Sequence, residues 1–388
     1  MDAVSTRIAA LSESLTLSIT SQAKALKEQG QDIYSFGAGE PDFDTPEHIK
    51  RAAAEALANG ETKYTAAAGL PALREAIAEK FIAENNLEYN VGQISVNCGA
   101  KHSLYNALLA TCEDDDEVII PAPYWTSYPE MVKMTGADPV IVQTSQENGW
   151  KLTPEQFEEA MSPRTKLIII NSPSNPTGAV YSREELAALG EVAAGEDILI
   201  ISDEIYEKIT YDNTEHVSIA SLSEELYNLT ITINGFSKAY AMTGWRLGYT
   251  AAPYPIAKAI STIQSHTTSN PTTFAQYGGI AALHGDQQAI QDMLGEFDVR
   301  RQYMLARLST ISNISFVEPK GAFYYLINCE QMAIKSLNLA EKLLSRYQVA
   351  AIPGIAFGND NSIRLSYACS LETIKNGLDR FEEFCRSH

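Results

Sequence analysis

Lys238 and Arg246 lie eight residues apart in NGFSKAYAMTGWRLGY (234–249), with no other charge between them. A lysine among apolar and aromatic residues loses solvation, which favours its neutral amine. A neutral amine condenses with aldehydes to a Schiff base. A guanidinium stays charged and suits a phosphate or a carboxylate. An ordinary surface lysine is the plainer alternative for Lys238, so its neighbours must decide.

Asp203 and Tyr206 in SDEIY (202–206) follow the apolar run ILII. A carboxylate buried there needs a cationic partner. A protonated pyridine nitrogen is one such partner; an N-cap at a helix start is the alternative. NSPSNPTGAVY (171–181) follows the run KLIII. It reads either as a rigid proline-punctuated loop or as a fixed mount for Asn175, whose amide can donate to a phenolate oxygen. NCGAKHSLYNALL (97–109) puts Gly99 and the amides of Ala100 and Lys101 at a strand-to-helix junction. Free N–H groups at a helix start bind phosphate. Such a junction is common, but Arg246 offers a cation for the same anion. Trp125 in PAPYWTSYPEM (121–131) is a core residue or a platform for a planar ring. Arg364 sits inside the apolar pattern SIRLSYA (362–368). A buried arginine is costly unless paired, and a fork awaiting a carboxylate accounts for it.

These residues need a frame that brings distant segments together. DEVIIPAPYW, DPVIVQT, TKLIIINSP, DILIISDEIY and LTITINGFSK each carry a short β-branched run ending in polar or glycine-bearing residues. Helical patterns such as SREELAALGEVAAG lie between several of them. Continuous apolar strands alternating with helices indicate a largely parallel sheet covered on both faces. Ligands in such sheets sit beyond the carboxyl ends of the strands, where the candidate residues fall. After residue 285 a long helical pattern precedes GAFYYLINC, QVAAIPG and SIRLSYA, which read as a smaller α+β lobe. The first forty or so residues hold helix and loop but no central strand, and are expected to join that lobe.

The chain of 388 residues is long enough for two or three domains and carries a net charge of −20, which disfavours a nucleic-acid partner. No run of eighteen apolar residues is present, so no membrane span is expected, and MDAVSTRIAALSESL lacks the apolar core of a secretory signal. The cysteines at 98, 112, 329, 369 and 385 form no CxxC pair and have no histidine at zinc spacing. They read as reduced thiols of a cytoplasmic protein without a metal site.

Taken together, GAGEPDFDTP, KYTAAAGLPALREA, PYWTSYPEM, NSPSNPTGAVY, SDEIY, SKAYAMTGWRLGY and IRLSYA resemble, in order and spacing, the class I aminotransferases of fold type I. The likeness spans essentially the whole chain and is greatest to the bacterial and plastid-type branch, which includes aspartate and prephenate aminotransferases. It implies an α/β fold. A large domain (46–285) would hold a mostly parallel seven-stranded sheet between helices, a small α+β domain would span 286–388, and an N-terminal segment (1–45) would pack with the latter. It implies pyridoxal 5′-phosphate as cofactor, held as a Schiff base on Lys238, which also shuttles the substrate proton. Asp203 would face the pyridine nitrogen, with Tyr206 and Asn175 on the phenolate and Trp125 stacked on the ring. The turn at Gly99 with Ala100, Lys101, Ser237 and Arg246 would form the phosphate cup, and Tyr64 would reach the phosphate of a neighbouring subunit, making a homodimer. Arg364 would clamp the substrate α-carboxylate, Gly39 would make a backbone contact to substrate, and Lys101 with Thr16 would bind a distal carboxylate. Lys101 is otherwise a solvent-facing residue at a helix start, a poor place for an unpartnered cation. The chain departs from many relatives at Gly235, three places before the lysine, where they carry serine.

The implied reaction is amino transfer between L-aspartate and 2-oxoglutarate, with amino acids and 2-oxo acids as ligands. Prephenate or aromatic amino transfer is the nearest alternative. A pyridoxal-phosphate-binding regulator lacks its basic DNA-binding module here, and a β-lyase would release pyruvate and ammonia.

Overall fold

The computed structural model describes residues 4–388; the first three residues of the expected segment 1–45 lie outside the described residues. Seven strands form the central sheet: β1 (Ile94–Asn97), β2 (Glu117–Ala122), β3 (Asp138–Gln143), β4 (Thr165–Asn171), β5 (Leu199–Asp203), β6 (Thr230–Gly235) and β7 (Gly248–Ala251). Their spatial order is β1-β7-β6-β5-β4-β2-β3. Only β7 runs antiparallel to its neighbours, β1 and β6; the remaining pairs are parallel. The fold class is the expected α/β arrangement, with a seven-stranded, mostly parallel sheet.

The isoleucine-rich runs explain the layering. Side chains alternate across a strand, so Ile169, Ile201, Ile231 and Ile233 point to one face and Ile168, Ile170 and Ile200 to the other. Leu104, Leu108, Val132 and Ile260 cover the first set. Phe157, Leu186 and Leu189 cover the second. The helix Arg183–Gly195 starts where Ser182 and Glu185 form a reciprocal capping box, which satisfies two otherwise orphaned amides.

A four-stranded antiparallel sheet lies towards the C-terminus, in the order Ile352–Pro353, Ser362–Ser366, Tyr324–Asn328, Ser315–Phe316. The strand Tyr34–Ser35 pairs in parallel with Val349–Ala350, and the helix Leu15–Glu28 packs on the same region. The residues before that helix turn the other way. Arg7 Nη2 lies 2.8 Å from Asp114 Oδ1, and the Ser12 amide donates to Glu130 at 3.0 Å. The N-terminal segment therefore touches both parts of the molecule, where the sequence led us to expect only one. A single apolar cluster joins Phe36, Ile205 and Tyr206 to Phe297, Phe323 and Tyr324. Arg301, fully buried on the helix Gln288–Leu308, reaches Asp212, Asp298 and Glu318 at 2.7–2.8 Å. Among the described residues no helix is long and apolar enough to cross a membrane.

Candidate active site

A cavity of about 510 Å³ opens at the carboxyl ends of β4, β5 and β6, bordered also by Ser14, Thr16 and Leu17 of the N-terminal segment and by Arg364. Parallel strands end there together, so residues far apart in sequence converge on one place.

Lys238 follows β6. Its Nζ donates to the Gly39 carbonyl and sits 5.8 Å from the centre of the Tyr206 ring. Loss of water lowers its pKa to about 8, and the positive charges of Arg364 and Arg246 act in the same direction. Asp203 ends β5 and is buried. Its Oδ2 accepts from the Tyr128 hydroxyl at 2.6 Å and its Oδ1 from the Ile205 amide at 3.3 Å. Burial raises its pKa to about 6, although both hydrogen bonds oppose the rise.

Asn171, at the end of β4, organises the next loop. Its Nδ2 donates to the Asp203 carbonyl at 2.9 Å, and its Oδ1 accepts from the Asn175 amide at 2.9 Å. Tyr206 shares a 2.8 Å hydrogen bond with Tyr324, and burial drives its pKa up. Trp125 stands edge-on to Tyr128, with ring centres 5.3 Å apart. The ammonium of Lys101 lies 4.8 Å above the Trp125 ring. Withdrawal from water lowers the Lys101 pKa, and the Arg246 charge adds to this.

Two glycines shape the floor. Gly99 has φ +88°, and a Cβ there would lie 2.5 Å from Arg246 Nη2. Gly248 lies against the start of the helix Ala100–Thr111, where a Cβ would come within 2.3 Å of the Ala100 nitrogen. The arginine head and the helix-start amides thus share one small cradle. Gly235 is held equally tightly, because a Cβ would meet the Gly248 Cα at 2.9 Å and the Leu247 carbonyl at 3.1 Å. A serine cannot enter there without moving β7. Ser237, next to the lysine, lines the cavity instead.

Arg364 is 2% exposed. Its Nη1 donates to Asn175 Oδ1 at 2.9 Å and its Nη2 to the Gly37 carbonyl at 3.1 Å. Its Nε is buried with no partner, and among the described residues no carboxylate pairs with it. Tyr324 and Phe357 lie beneath the guanidinium at 4.4 and 5.1 Å. Burial lowers its pKa. Thr16 lines the same cavity, its hydroxyl also buried without a partner.

The structure therefore gathers Thr16, Gly39, Ala100, Lys101, Trp125, Asn175, Asp203, Tyr206, Ser237, Lys238, Arg246 and Arg364 around one cavity. Gly99 lies just beneath it, against Arg246. Tyr64 stands apart, 87% exposed. The sequence reading missed Tyr128, Asn171, Tyr324 and the pair Thr243–Glu40, bonded at 2.6 Å. Tyr128 lies three residues after Trp125 in a stretch already singled out. Tyr324 lies on the sheet face of Arg364, two places from the directly opposed Leu326, a relation visible only once the strands are paired.

The donor set fits pyridoxal phosphate. A buried carboxylate without a cation, a depressed lysine, a cradle of amides with an arginine, and a guanidinium lacking an anion match its ring nitrogen, aldehyde, phosphate and acid substrate in turn. The pattern described as aminotransferase class I and II matches residues 31–381. An aspartate aminotransferase from Bacillus subtilis is 48% identical over 387 residues, covering 98% of each chain. A probable aspartate/prephenate aminotransferase from Aquifex aeolicus is 45% identical, again over 98% of each. The solved structure of Thermus thermophilus aspartate aminotransferase with maleate superimposes with a TM-score of 0.95 at 42% identity, covering 99% of this chain and 100% of that one. The chain belongs to the class I and II aminotransferase family and is a pyridoxal-phosphate-dependent aminotransferase.

Proposed function

We propose that the chain catalyses reversible amino transfer between L-aspartate and 2-oxoglutarate, giving oxaloacetate and L-glutamate. The observation that carries the reading is a pair of cations without carboxylate partners, Arg364 and Lys101, lining the cavity that holds Lys238. A dicarboxylate satisfies both, whereas an apolar side chain would leave the Lys101 ammonium without an anion, with only the Trp125 ring beside it. The names of the relatives agree with it.

When bound, the cofactor supplies an aldehyde for amines and a cationic ring that spreads the electron pair left when the α-proton departs. The ring would lie against Trp125 with its nitrogen at Asp203. Tyr128 and the Ile205 amide keep Asp203 oriented and help it hold its charge. Asn175 and Tyr206 would hold the phenolate oxygen. The Ala100 and Lys101 amides with Ser237 and Arg246 would take the phosphate. Arg364 binds and orients the α-carboxylate, and Lys101 with Thr16 the distal one. Lys238 Nζ, uncharged near neutrality more readily than an exposed lysine, takes the α-proton and later returns it. The N-terminal segment and Arg364 close the site against water.

Tyr64, exposed and outside its own cavity, completes the site of a second subunit in a homodimer. The division at residues 45 and 285 is supported by the central-sheet strands lying between Ile94 and Ala251 and the four-stranded sheet beginning at Ser315. Five free cysteines fit a cytoplasmic setting. The test is relative kcat/KM for oxaloacetate, prephenate and phenylpyruvate as acceptors. The reading predicts oxaloacetate first, and a higher value for prephenate would replace it.

A further inference from the structure

The backbone that carries Tyr64 is fixed from beneath by buried polar side chains, although its phenol is free in solvent. Residues 61–70 adopt no regular secondary structure. Gln276, fully buried on the helix Thr273–His284, accepts from the Leu70 amide at 2.7 Å and donates to Thr65 Oγ1 at 3.3 Å and to the Pro271 carbonyl at 3.0 Å. One turn earlier Thr273 Oγ1 donates to the Lys63 carbonyl at 2.6 Å. Gln264, fully buried on the helix Tyr254–Thr267, donates to the Ala67 carbonyl, and the Val96 amide of β1 donates to the Ala68 carbonyl at 2.9 Å. Gly69, at φ +93°, presses on β1 so closely that a Cβ would lie 2.7 Å from Val96 Cβ.

Burying two glutamine side chains is unfavourable unless their polar atoms are satisfied. Here half of their hydrogen bonds go to one surface loop whose own side chains bury little, the others going to Pro271, Val96 and Asn97. Connecting loops ordinarily run over the surface and are more mobile than the elements they join. Two of the bonds to this loop, to the Lys63 carbonyl and the Thr65 hydroxyl, flank Tyr64 and hold the backbone from which its phenol projects.

We propose that Gln276 and Thr273 are positioning residues that act on the neighbouring subunit's site and not on their own: they hold Tyr64 ready for the partner's cofactor phosphate. This rests on the shared-site reading given above. Gln276 and Thr273 make no contact with the cavity of their own chain. Gln264 serves both sites: its Oε1 also accepts from Asn97 at 2.9 Å, and Asn97 accepts from Ser103 on the helix that starts its own chain's phosphate cradle.

Hybrid dimers separate the two directions. In one, a wild-type chain is paired with a K238A/Q276E chain, so the only reactive lysine sits in a site completed by the altered loop. In the other, a Q276E chain is paired with a K238A chain, and the lysine-bearing site receives an intact loop. Q276E keeps the acceptor to Leu70 and removes the donors to Thr65 and Pro271. T273V, of nearly equal shape, serves as the second variant, with thermal melting as the control for folding. The readouts are the pyridoxal phosphate dissociation constant, from the visible band of the lysine-bound form, and hydrogen exchange across residues 61–70.

The expected result is a dissociation constant raised about tenfold in the first hybrid, the scale of one lost buried hydrogen bond, and unchanged in the second, with faster exchange in every altered chain. A defect confined to the altered chain's own site, an equal defect in both hybrids, or none in either, overturns the proposal. A wild-type protein that binds pyridoxal phosphate fully as a monomer defeats the shared-site reading itself, and this inference with it. The wild-type control alone reveals that outcome.

Discussion

Lys238 owes its reactivity to poor solvation. With its pKa lowered to about 8 mainly by burial, the amine is charged and unreactive below that value and free above it. The rate at which apoprotein recaptures pyridoxal phosphate should fall about tenfold per pH unit below about 8 and level off above it. Stopped-flow absorbance across that range checks this, and a flat profile would contradict it. Arg364 is the complementary case, a cation that burial cannot neutralise. Arg364→Gln should lower kcat/KM for both dicarboxylate substrates about 10²- to 10³-fold, as expected when a buried charge pair loses one member. Steady-state kinetics with aspartate and 2-oxoglutarate provide the measurement. These charged residues were legible in the sequence because a charge inside an apolar run is expensive, and an expensive residue invites a reason. Tyr128 and Tyr324 were not legible, since tyrosine is an ordinary core residue and only its hydroxyl partners, Asp203 and Tyr206, give it a role.

Strands explain what single residues cannot. Gly235 stood out in the sequence only as a missing serine. The register of β6 on β7 sets Gly235 opposite Gly248, and Gly248 in turn touches the start of the helix Ala100–Thr111. Gly235→Ser should therefore lower stability by about 1–3 kcal/mol through overpacking, without tightening cofactor binding. Denaturant melts and a cofactor titration test the two halves separately. A serine that left stability intact and strengthened binding would show that β7 yields. The parallel strands were legible because both their faces are buried and their apolar runs are continuous. The N-terminal segment was read only in part. The sequence placed it with the C-terminal lobe, but the ion pair of Arg7 with Asp114 and the Ser12–Glu130 bond tie its start to the central-sheet side. Contacts of that kind arise between surface residues whose sequence patterns are unremarkable.

Across the molecule, one buried arginine ties separate segments together. Arg301 is fully buried, and its carboxylate partners Asp212, Asp298 and Glu318 are 35–42% exposed. Arg301→Met keeps the packing and leaves three acids together, with Lys320 still paired to Asp212 and Glu318 but, among the described residues, nothing for Asp298. It should cost about 2–4 kcal/mol, less than a fully buried network because water screens the acids. The midpoint of urea unfolding reads the loss, and recovery at a pH low enough to protonate the acids would identify the cause. None of this joint was foreseen from sequence, because its members lie in three separate stretches, each of which reads as solvated surface.

One apolar cluster runs from Phe36 through Ile205 and Tyr206 to Phe297, Phe323 and Tyr324. The residues after β5 thus pack against those of the four-stranded sheet, and the tyrosine proposed for the cofactor phenolate belongs to that close packing. A protease that cut the exposed turn around Asp286 would leave two pieces still glued along this seam, migrating as one until a detergent parted them. By the same reasoning, neither piece made alone would stay dispersed in water.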